Sequence, residues 1–150
     1  MTENTERDVM IGLEIHVHLN TKEKLFCDCK VPTKESEVNS HICPRCTGQP
    51  GSKPMLTNKN AITKVIKIGL AVGANATKHT NFQRKHYTWP DMPTGFQRTV
   101  SGGQVKTTTV GGEFMGIRIE GNHLEENPAA WDPVTGELDY NRSGFPLAEF

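Results

Sequence analysis

The sequence has no long apolar run, no excess of either charge, and no cysteine outside one short segment. None of its hydrophobic stretches approaches the ~20 residues that a membrane-spanning helix needs. The 17 basic residues balance 17 acidic ones, so no global field attracts nucleic acid, and any RNA contact needs a local patch. The amino terminus, MTENTERDVM, has no signal-peptide core. We therefore expect a cytoplasmic protein with no membrane partner.

Apolar residues are also scarce, at 35% of 150 residues, whereas Gly (14) and Pro (9) are frequent. This balance predicts one loop-rich domain of the α+β or β-rich class, with long connections between short elements. The chain stops on an apolar, strand-like segment, DYNRSGFPLAEF. That ending predicts that the chain is cut from a longer polypeptide.

All four cysteines lie in two close pairs, CDC and CPRC. They are Cys27, Cys29, Cys43 and Cys46. In a reducing cytosol such clustering favours a metal over disulfides, and four thiolates suit a closed structural zinc site. The alternatives are four reduced thiols or a redox-active Cys43–Cys46 pair, although the βαβ setting of a thioredoxin-like motif is absent. His41 is a less favoured substitute ligand.

Residues 11–19, IGLEIHVHL, alternate between apolar and polar side chains, which predicts a half-buried strand. Its buried face would carry Ile11, Leu13, Ile15, Val17 and Leu19. Its polar face would carry Glu14, His16 and His18. A carboxylate and two imidazoles are an unusual choice for a merely solvated face, so this face is a candidate site.

Two further segments have readable patterns. Residues 57–72 have the spacing of an amphipathic helix, with Thr57 or Asn58 as the N-cap and Gly73 just beyond the end. Residues 81–99 interleave cations with aromatic rings and are broken by prolines, which predicts a strand leading into an ordered loop. Such a loop suits a nucleotide or an RNA end, or it is a surface loop anchored by its aromatic residues.

Acidic groups recur at the ends of three extended segments. They are Glu14 with His16, Glu125 with Glu126, and Glu149. Each group alone is typical of a solvated face, but together they provide the oxygen ligands that a hard cation such as Mg²⁺ prefers. A metal ion or Arg142 would relieve the repulsion between them.

Five motifs then occur in an order that closely resembles the B subunit of the aspartyl/glutamyl-tRNA(Asn/Gln) amidotransferase, most of all its archaeal members. The motifs are IGLEIHVHLNTKEKLFCDC, NSHICPRCTGQPGSKP, FQRKHYTWPDMPTGFQ, HLEENPA and DYNRSGFPLAEF. The resemblance implies an α+β fold: a glutamine-synthetase/guanido-kinase-like cradle, mostly antiparallel sheet with packed helices. Residues 1–150 would be its amino-terminal part, with a zinc-knuckle insertion at about residues 25–50. The family's helical and tail domains would lie beyond residue 150.

The resemblance also implies an activity: a carbon–nitrogen ligase that uses glutamine as the amido donor. The family binds Asp-tRNA(Asn) or Glu-tRNA(Gln) and transfers the γ-phosphoryl group of ATP to the free side-chain carboxylate. Ammonia released by the amidase (A) subunit then displaces the phosphate. The small C subunit bridges the A and B subunits. The implied cofactors are ATP, Mg²⁺ and structural Zn²⁺. Most of the tRNA contact would come from the missing domains, so this fragment alone should be inactive.

Matched motif by motif, the resemblance assigns roles to individual positions. The catalytic residues would be Glu14, His16, Glu126 and Glu149. Magnesium would be held by Glu14, His16, Glu125, Glu126 and Glu149, and zinc by the four cysteines. ATP would be bound by Lys85, His86, Tyr87, Asn141 and Arg142, with Lys85 and Arg142 facing phosphate oxygens. His18 is interpreted as peripheral, and Asn127 stands where the family usually has Asp, as a neutral ligand or outer acceptor.

Two rival interpretations remain. One is a zinc-ribbon module that binds a protein partner without catalysis. The other is an ATP-dependent amide ligase acting on free amino acids. Magnesium-dependent ATP binding distinguishes the module from either enzyme. Dependence on a mischarged tRNA distinguishes the amidotransferase from the free-amino-acid ligase.

Overall fold

The computed structural model describes residues 9–103 and 105–150, which form an α+β domain with mostly antiparallel strands, as predicted. Its helix, α1, spans Lys59–Ala71. The strands are β1 (His16–His18), β2 (Asn75–Ala76), β3 (Gln83–His86), β4 (Phe96–Thr99), β5 (Thr109–Val110), β6 (Glu113–Phe114), β7 (Ile117–Arg118), β8 (His123–Glu126), β9 (Ala130–Trp131), β10 (Leu138–Asp139) and β11 (Pro146–Glu149). Within those ranges, no helix has the length and apolar character needed to cross a membrane.

The main sheet has the order β1-β11-β8-β4-β3, with every neighbouring pair antiparallel. Three small sheets pair β2 with β5, β6 with β7, and β9 with β10. Residues directly opposite each other share a face of a sheet, and residues next to each other in a strand do not. The register therefore defines a front face that carries His16, Thr99, Glu125 and Glu149. It also defines a rear face that carries Arg98, Leu124, Glu126 and Ala148.

The hydrophobic core lies behind the sheet. Leu124 and Ala148, from the rear face, are fully buried against α1 and the segment that follows β1. The core residues are Leu19, Leu25, Phe26, Ala61, Val65, Val100, Leu124 and Ala148. Because the helix packs on the rear face at β8, the polar residues on the front face of this strand stay available for a site.

The helix α1 begins and ends where its sequence predicts. Asn58 is the N-cap, and its side-chain oxygen accepts hydrogen bonds from the backbone N–H groups of Asn60 at 2.9 Å and Ala61 at 3.4 Å. Gly73 follows the helix with φ of +76°, a conformation that favours glycine. The helix faces the sheet through Val65 and Gly69, and Gly69 leaves no room for a side chain beside Thr109.

The strand predicted at residues 11–19 is shorter and less buried than its alternation indicated. Only His16–His18 forms β1, although hydrogen bonds between Ile15 and Phe150 at 3.0 and 3.1 Å extend the pairing by one position. Leu19 is buried, but Ile11, Leu13, Ile15 and Val17 are all exposed, Val17 the least at 40%. The prediction of a buried face is therefore wrong for those four residues. β1 is an edge strand, and α1 contacts β8 rather than β1.

Candidate functional site

A cluster of three carboxylates surrounds one imidazole on the front face. The Nε2 atom of His16 lies 3.2 Å from a carboxylate oxygen of Glu14, 3.7 Å from one of Glu125 and 3.7 Å from one of Glu149. The strand register builds this cluster, because His16 in β1 is directly opposite Glu149 in β11, and β11 is paired in turn with β8. We call Glu14, His16, Glu125 and Glu149 the front cluster.

The front cluster concentrates negative charge at a partly buried position. The side chain of Glu125 is only 6% exposed, and that of Glu149 is 20% exposed. Burial, followed by the neighbouring charge of Glu149, raises the pKa of Glu125 to about 7. Carboxylates that repel one another in this way favour a bound cation. Ligand atoms of Glu14, His16 and Glu149 all lie within 4.8 Å of one another, so the donor set fits a hard divalent ion such as Mg²⁺.

Glu126, which the sequence grouped with these residues, lies on the other side of the sheet. Its two carboxylate oxygens accept hydrogen bonds from Nε and a terminal nitrogen of Arg98, each at 2.7 Å, and one oxygen also accepts the Arg98 backbone N–H at 2.9 Å. The side chain of Glu126 is 2% exposed. Burial raises its pKa, and the bidentate Arg98 pairing opposes that rise. The structure therefore brings Glu125, but not Glu126, to the front cluster.

The predicted nucleotide-binding residues around β3 divide between the two faces. Lys85 is exposed and directly opposite Gln97, so it shares the front face with the cluster, two strands away from β8. His86 is opposite Phe96 on the rear face, where their ring centroids lie 5.6 Å apart. Tyr87 follows β3, and burial, then the charge of Asp91, raises its pKa to about 12, so its hydroxyl stays protonated at neutral pH.

The other two predicted nucleotide-binding residues hold backbone segments together. Asn141 is buried; its amide donates to the carbonyl of Glu37 at 2.6 Å, and its oxygen accepts the His41 backbone N–H at 2.7 Å. Arg142 donates to the carbonyls of Pro128 at 3.0 Å and Ala129 at 2.8 Å. The structure does not bring either side chain into contact with the front cluster. Both tie the loop before β11 to neighbouring segments.

His18, interpreted as peripheral from the sequence, makes specific contacts at the end of β1. Its ring stacks on Phe145 with centroids 4.6 Å apart, and its Nε2 lies 2.5 Å from the amide nitrogen of Asn127. Burial, then the positive charge of Arg142, lowers the pKa of His18. A neutral imidazole therefore accepts a hydrogen bond from the Asn127 amide. The alternation in residues 11–19 placed His18 on the correct face, but it gave no sign of this partner.

The four cysteines converge as their spacing predicts. The sulfur atoms of Cys27, Cys29, Cys43 and Cys46 all lie within 4.8 Å of one another. The Cys43 and Cys46 sulfurs are 3.9 Å apart, close to the ~3.8 Å expected for two corners of a tetrahedral ZnS₄ site. The backbone N–H of Cys43 also donates to the Cys46 sulfur at 3.2 Å. His41 lies outside this set, with Nδ1 3.2 Å from the Lys30 carbonyl. The geometry fits a closed structural zinc site.

A buried lysine beside the cysteines escaped the sequence analysis. Lys24 is 1% exposed, and its ammonium lies 3.4 Å from the Cys46 sulfur and 3.2 Å from the Tyr140 carbonyl oxygen. Among the described residues, no carboxylate lies within 4.0 Å of this ammonium. A hydrogen bond from the Cys27 thiol, and then the charge of Lys24, lower the pKa of Cys46 to about 4. The Cys46 thiolate therefore serves as the counter-charge of the buried lysine.

Comparison with known proteins identifies the family of the chain. Residues 9–150 match the family described as the GatB/GatE catalytic domain. The chain is 45% identical over 144 residues to the B subunit of the aspartyl/glutamyl-tRNA(Asn/Gln) amidotransferase of Methanopyrus kandleri, a match that covers 95% of this chain and 30% of that protein. It is 47% identical over 144 residues to the protein of the same description from Methanobrevibacter smithii, covering 94% and 30%. The chain thus spans about 30% of the length of these relatives. It belongs to the GatB/GatE catalytic domain family.

Proposed function

We propose that the protein carrying this chain catalyses ATP-dependent transamidation of Asp-tRNA(Asn) or Glu-tRNA(Gln). In this reaction the side-chain carboxylate of the aminoacyl group is first phosphorylated by ATP. Ammonia then attacks the acyl carbon, the bond to the phosphate oxygen breaks, and the amide forms. We propose that the amidase (A) subunit supplies the ammonia. The small C subunit would bridge the A subunit and the protein that carries this chain. The observation that supports this best is the front cluster, assembled from β1, β8 and β11 in a chain of this family.

We propose that Glu14, Glu125 and Glu149 hold Mg²⁺ through carboxylate oxygens, with His16 beside them. When bound, the metal would neutralise charge on the transferred phosphoryl group, which is the main requirement of such a reaction. Burial of Glu125 fixes one ligand rigidly, whereas Glu14, with 65% of its side chain exposed, is the ligand nearest to solvent. Within this proposal Glu126 is not a ligand, because its carboxylate is already fully used by Arg98.

Other residues of the front face would orient the reactants. Lys85 is the exposed cation on the same face as the cluster, and its ammonium suits a phosphate oxygen of ATP. Tyr87, just beyond β3, would keep its proton and act only as a hydrogen-bonding group. The zinc knuckle at residues 25–50 is proposed to be structural, since four cysteines leave no open coordination position. The role of the knuckle would be to hold residues 25–50 in place behind the sheet.

The test is a Glu149→Gln variant of the complete protein, assembled with its glutaminase partner. We expect kcat for amide formation on Glu-tRNA(Gln) or Asp-tRNA(Asn) to fall by about 100-fold or more, because one metal-holding charge is lost. Glu113→Gln, on exposed β6, is the matched control and should leave kcat unchanged. Unaltered activity in Glu149→Gln would refute the metal assignment.

The same assay separates the rival functions. A binding module would show no magnesium-dependent ATP binding in the wild-type protein. A ligase for free amino acids would hydrolyse ATP with free aspartate or glutamate and without tRNA. We expect ATP hydrolysis to depend on the mischarged tRNA.

A further inference from the structure

A second polar cleft, separate from the front cluster, lies on the rear side of the sheet. It has a volume of about 230 Å³ and opens between the β3–β4 hairpin and residues 45–54. We call residues 45–54, which begin inside the CPRC motif, the cysteine loop. Its polar and aromatic walls include Arg45, Gln49, Ser52, Arg84, Phe96 and Arg98. We call it the rear cleft. The walls are held closely together, because a side chain at Gly48 (φ +64°) would lie 2.6 Å from the Pro93 carbonyl oxygen.

The hairpin contributes a like-charge pair to the rear cleft. Arg84 in β3 is directly opposite Arg98 in β4, and like charges in that position destabilise a sheet. The charge of Arg98 is neutralised, because it binds both oxygens of Glu126. No carboxylate of the described residues neutralises the charge of Arg84; its guanidinium instead lies 5.0 Å from the centroid of the Phe96 ring. That aromatic contact orients Arg84 without removing its charge.

The cysteine loop contributes a second uncompensated cation. Arg45, inside the CPRC motif, donates from Nε to the Lys53 carbonyl at 2.9 Å, which fixes the direction of its side chain. In the part of the chain that the structure describes, neither Arg45 nor Arg84 has a carboxylate within 4.0 Å. Two oriented guanidinium groups therefore line one cleft without a protein anion. Planar guanidinium groups bind phosphate oxygens in pairs, so the chemistry matches a phosphate.

We propose that the rear cleft binds a backbone phosphate of RNA, which under the proposed function is the tRNA. The cleft is smaller than the ~300–1,000 Å³ of sites that enclose whole small ligands, so it suits one phosphate of a chain that continues outside. The whole chain is electrically neutral, and an RNA contact therefore requires a local positive site of this kind. The Phe96 ring lines the cleft, and the exposed His86 ring, which packs against Phe96, adds an aromatic surface beside it.

The experiment measures binding of deacylated tRNA to the complete protein at several salt concentrations. Arg84→Gln and Arg45→Gln should each weaken binding by about fivefold at physiological salt and lower the slope of log K against log salt by about one. The double variant should weaken binding by about 25-fold. Arg118→Gln, an exposed arginine paired with Glu120, is the control and should change neither quantity. Arg98 is left intact because it holds Glu126.

The outcomes separate this site from the proposed transamidation. Deacylated tRNA needs no chemistry, so weaker binding in Arg84→Gln supports the rear cleft even if the amidotransferase assay fails. Arg84→Lys keeps the charge and should retain most of the salt slope, and melting curves confirm that each variant is folded. Unchanged tRNA affinity and salt slope in the double variant would overturn the proposal. So would a loss of ATP or inorganic phosphate binding with tRNA binding intact, since the cleft would then serve a free nucleotide or ion.

Discussion

Glu125 and Glu126 are consecutive in β8, yet their carboxylates lie on opposite faces of the sheet. An oxygen of Glu125 lies 3.7 Å from Nε2 of His16 in the front cluster, whereas both oxygens of Glu126 lie 2.7 Å from Arg98 behind the sheet. Alternation along a strand requires this separation. One short strand thus carries both a residue of the candidate metal site and the ion pair that anchors the strand from the rear.

The rear ion pair should matter for stability. In Arg98→Met, the carboxylate of Glu126 would stay buried without its cation, and we expect the free energy of unfolding to fall by about 3–5 kcal/mol. The arginine side chain is 14% exposed and the glutamate 2%, so water cannot replace the lost partner. Denaturant unfolding of the complete protein measures the change.

The control for this prediction is the exposed ion pair between Arg118, in β7, and Glu120. Arg118 and Glu120 have side chains 76% and 82% exposed, and Arg118→Met should change the free energy of unfolding by no more than about 0.5 kcal/mol. Arg98→Met combined with Glu126→Leu should recover much of the loss, since the buried charge is then gone. If Arg98→Met costs no more than Arg118→Met, the rear pair does not anchor β8.

The raised pKa of Glu125 predicts how magnesium binding depends on pH. Below about pH 7 a proton occupies this carboxyl group, and the metal must displace it. The apparent Mg²⁺ affinity should therefore rise by up to about tenfold per pH unit below 7 and level off above it. Calorimetric titration at several pH values measures this slope. Glu125→Gln should bind Mg²⁺ more weakly and with a flatter pH dependence; an equally steep slope in that variant contradicts the assignment.

The same pKa makes a separate prediction for the metal-free protein. The folded state holds the Glu125 proton up to about pH 7, whereas the unfolded chain releases it near the ordinary value of 4.5. The folded state thus binds more protons between these values, and the Glu125 contribution to stability is lost as pH rises from 4.5 to 7. The difference in melting temperature between wild type and Glu125→Gln should shift across this window. A constant difference would show that Glu125 titrates normally.

Local patterns in the sequence predicted the parts of the structure that depend on nearby residues. Asn58 and Gly73 bound α1 because an N-cap and a left-handed residue act within one helical turn. The paired cysteines converged because C-x-C and C-x-x-C already fix neighbouring sulfurs. Alternation also placed Glu14 and His16 on one face, and the recurrence of acidic groups at the ends of extended segments, together with the resemblance to the family, predicted Glu149 as their neighbour.

The remaining features depend on strand order and packing, which periodicity does not determine. The apolar side chains before His16 looked buried, but an edge strand beyond the reach of α1 leaves them exposed. Which of Glu125 and Glu126 joins the front cluster depends on β4, which places Thr99 opposite Glu125 and Arg98 beside Glu126. The partner of Lys24 is a cysteine 22 positions away, so an ordinary-looking lysine gave no signal.

Lys24 should strengthen the zinc site. Four thiolates with Zn²⁺ carry a net charge of −2, and the buried ammonium beside Cys46 partly balances it. Lys24→Met should weaken zinc binding by about 10- to 100-fold in chelator competition, as expected for a group that supports a metal ligand. Lys59→Met, at the exposed start of α1, is the control. Cys43→Ser should release zinc altogether, and an unchanged zinc affinity in Lys24→Met would refute the balancing role.

The His18–Asn127 contact should set the charge of an imidazole close to the front cluster. Burial, then the charge of Arg142, keeps the pKa of His18 below its ordinary value, and the neutral ring accepts a hydrogen bond from the Asn127 amide. In Asn127→Asp a carboxylate faces the ring instead and favours the imidazolium, so we expect the pKa of His18 to rise by about one unit or more. NMR titration of the ring, assigned with His18→Gln, measures the shift. Asn75→Asp, exposed in β2, should leave the pKa of His18 unchanged, and an equally unchanged value in Asn127→Asp would show that the amide does not control the ring.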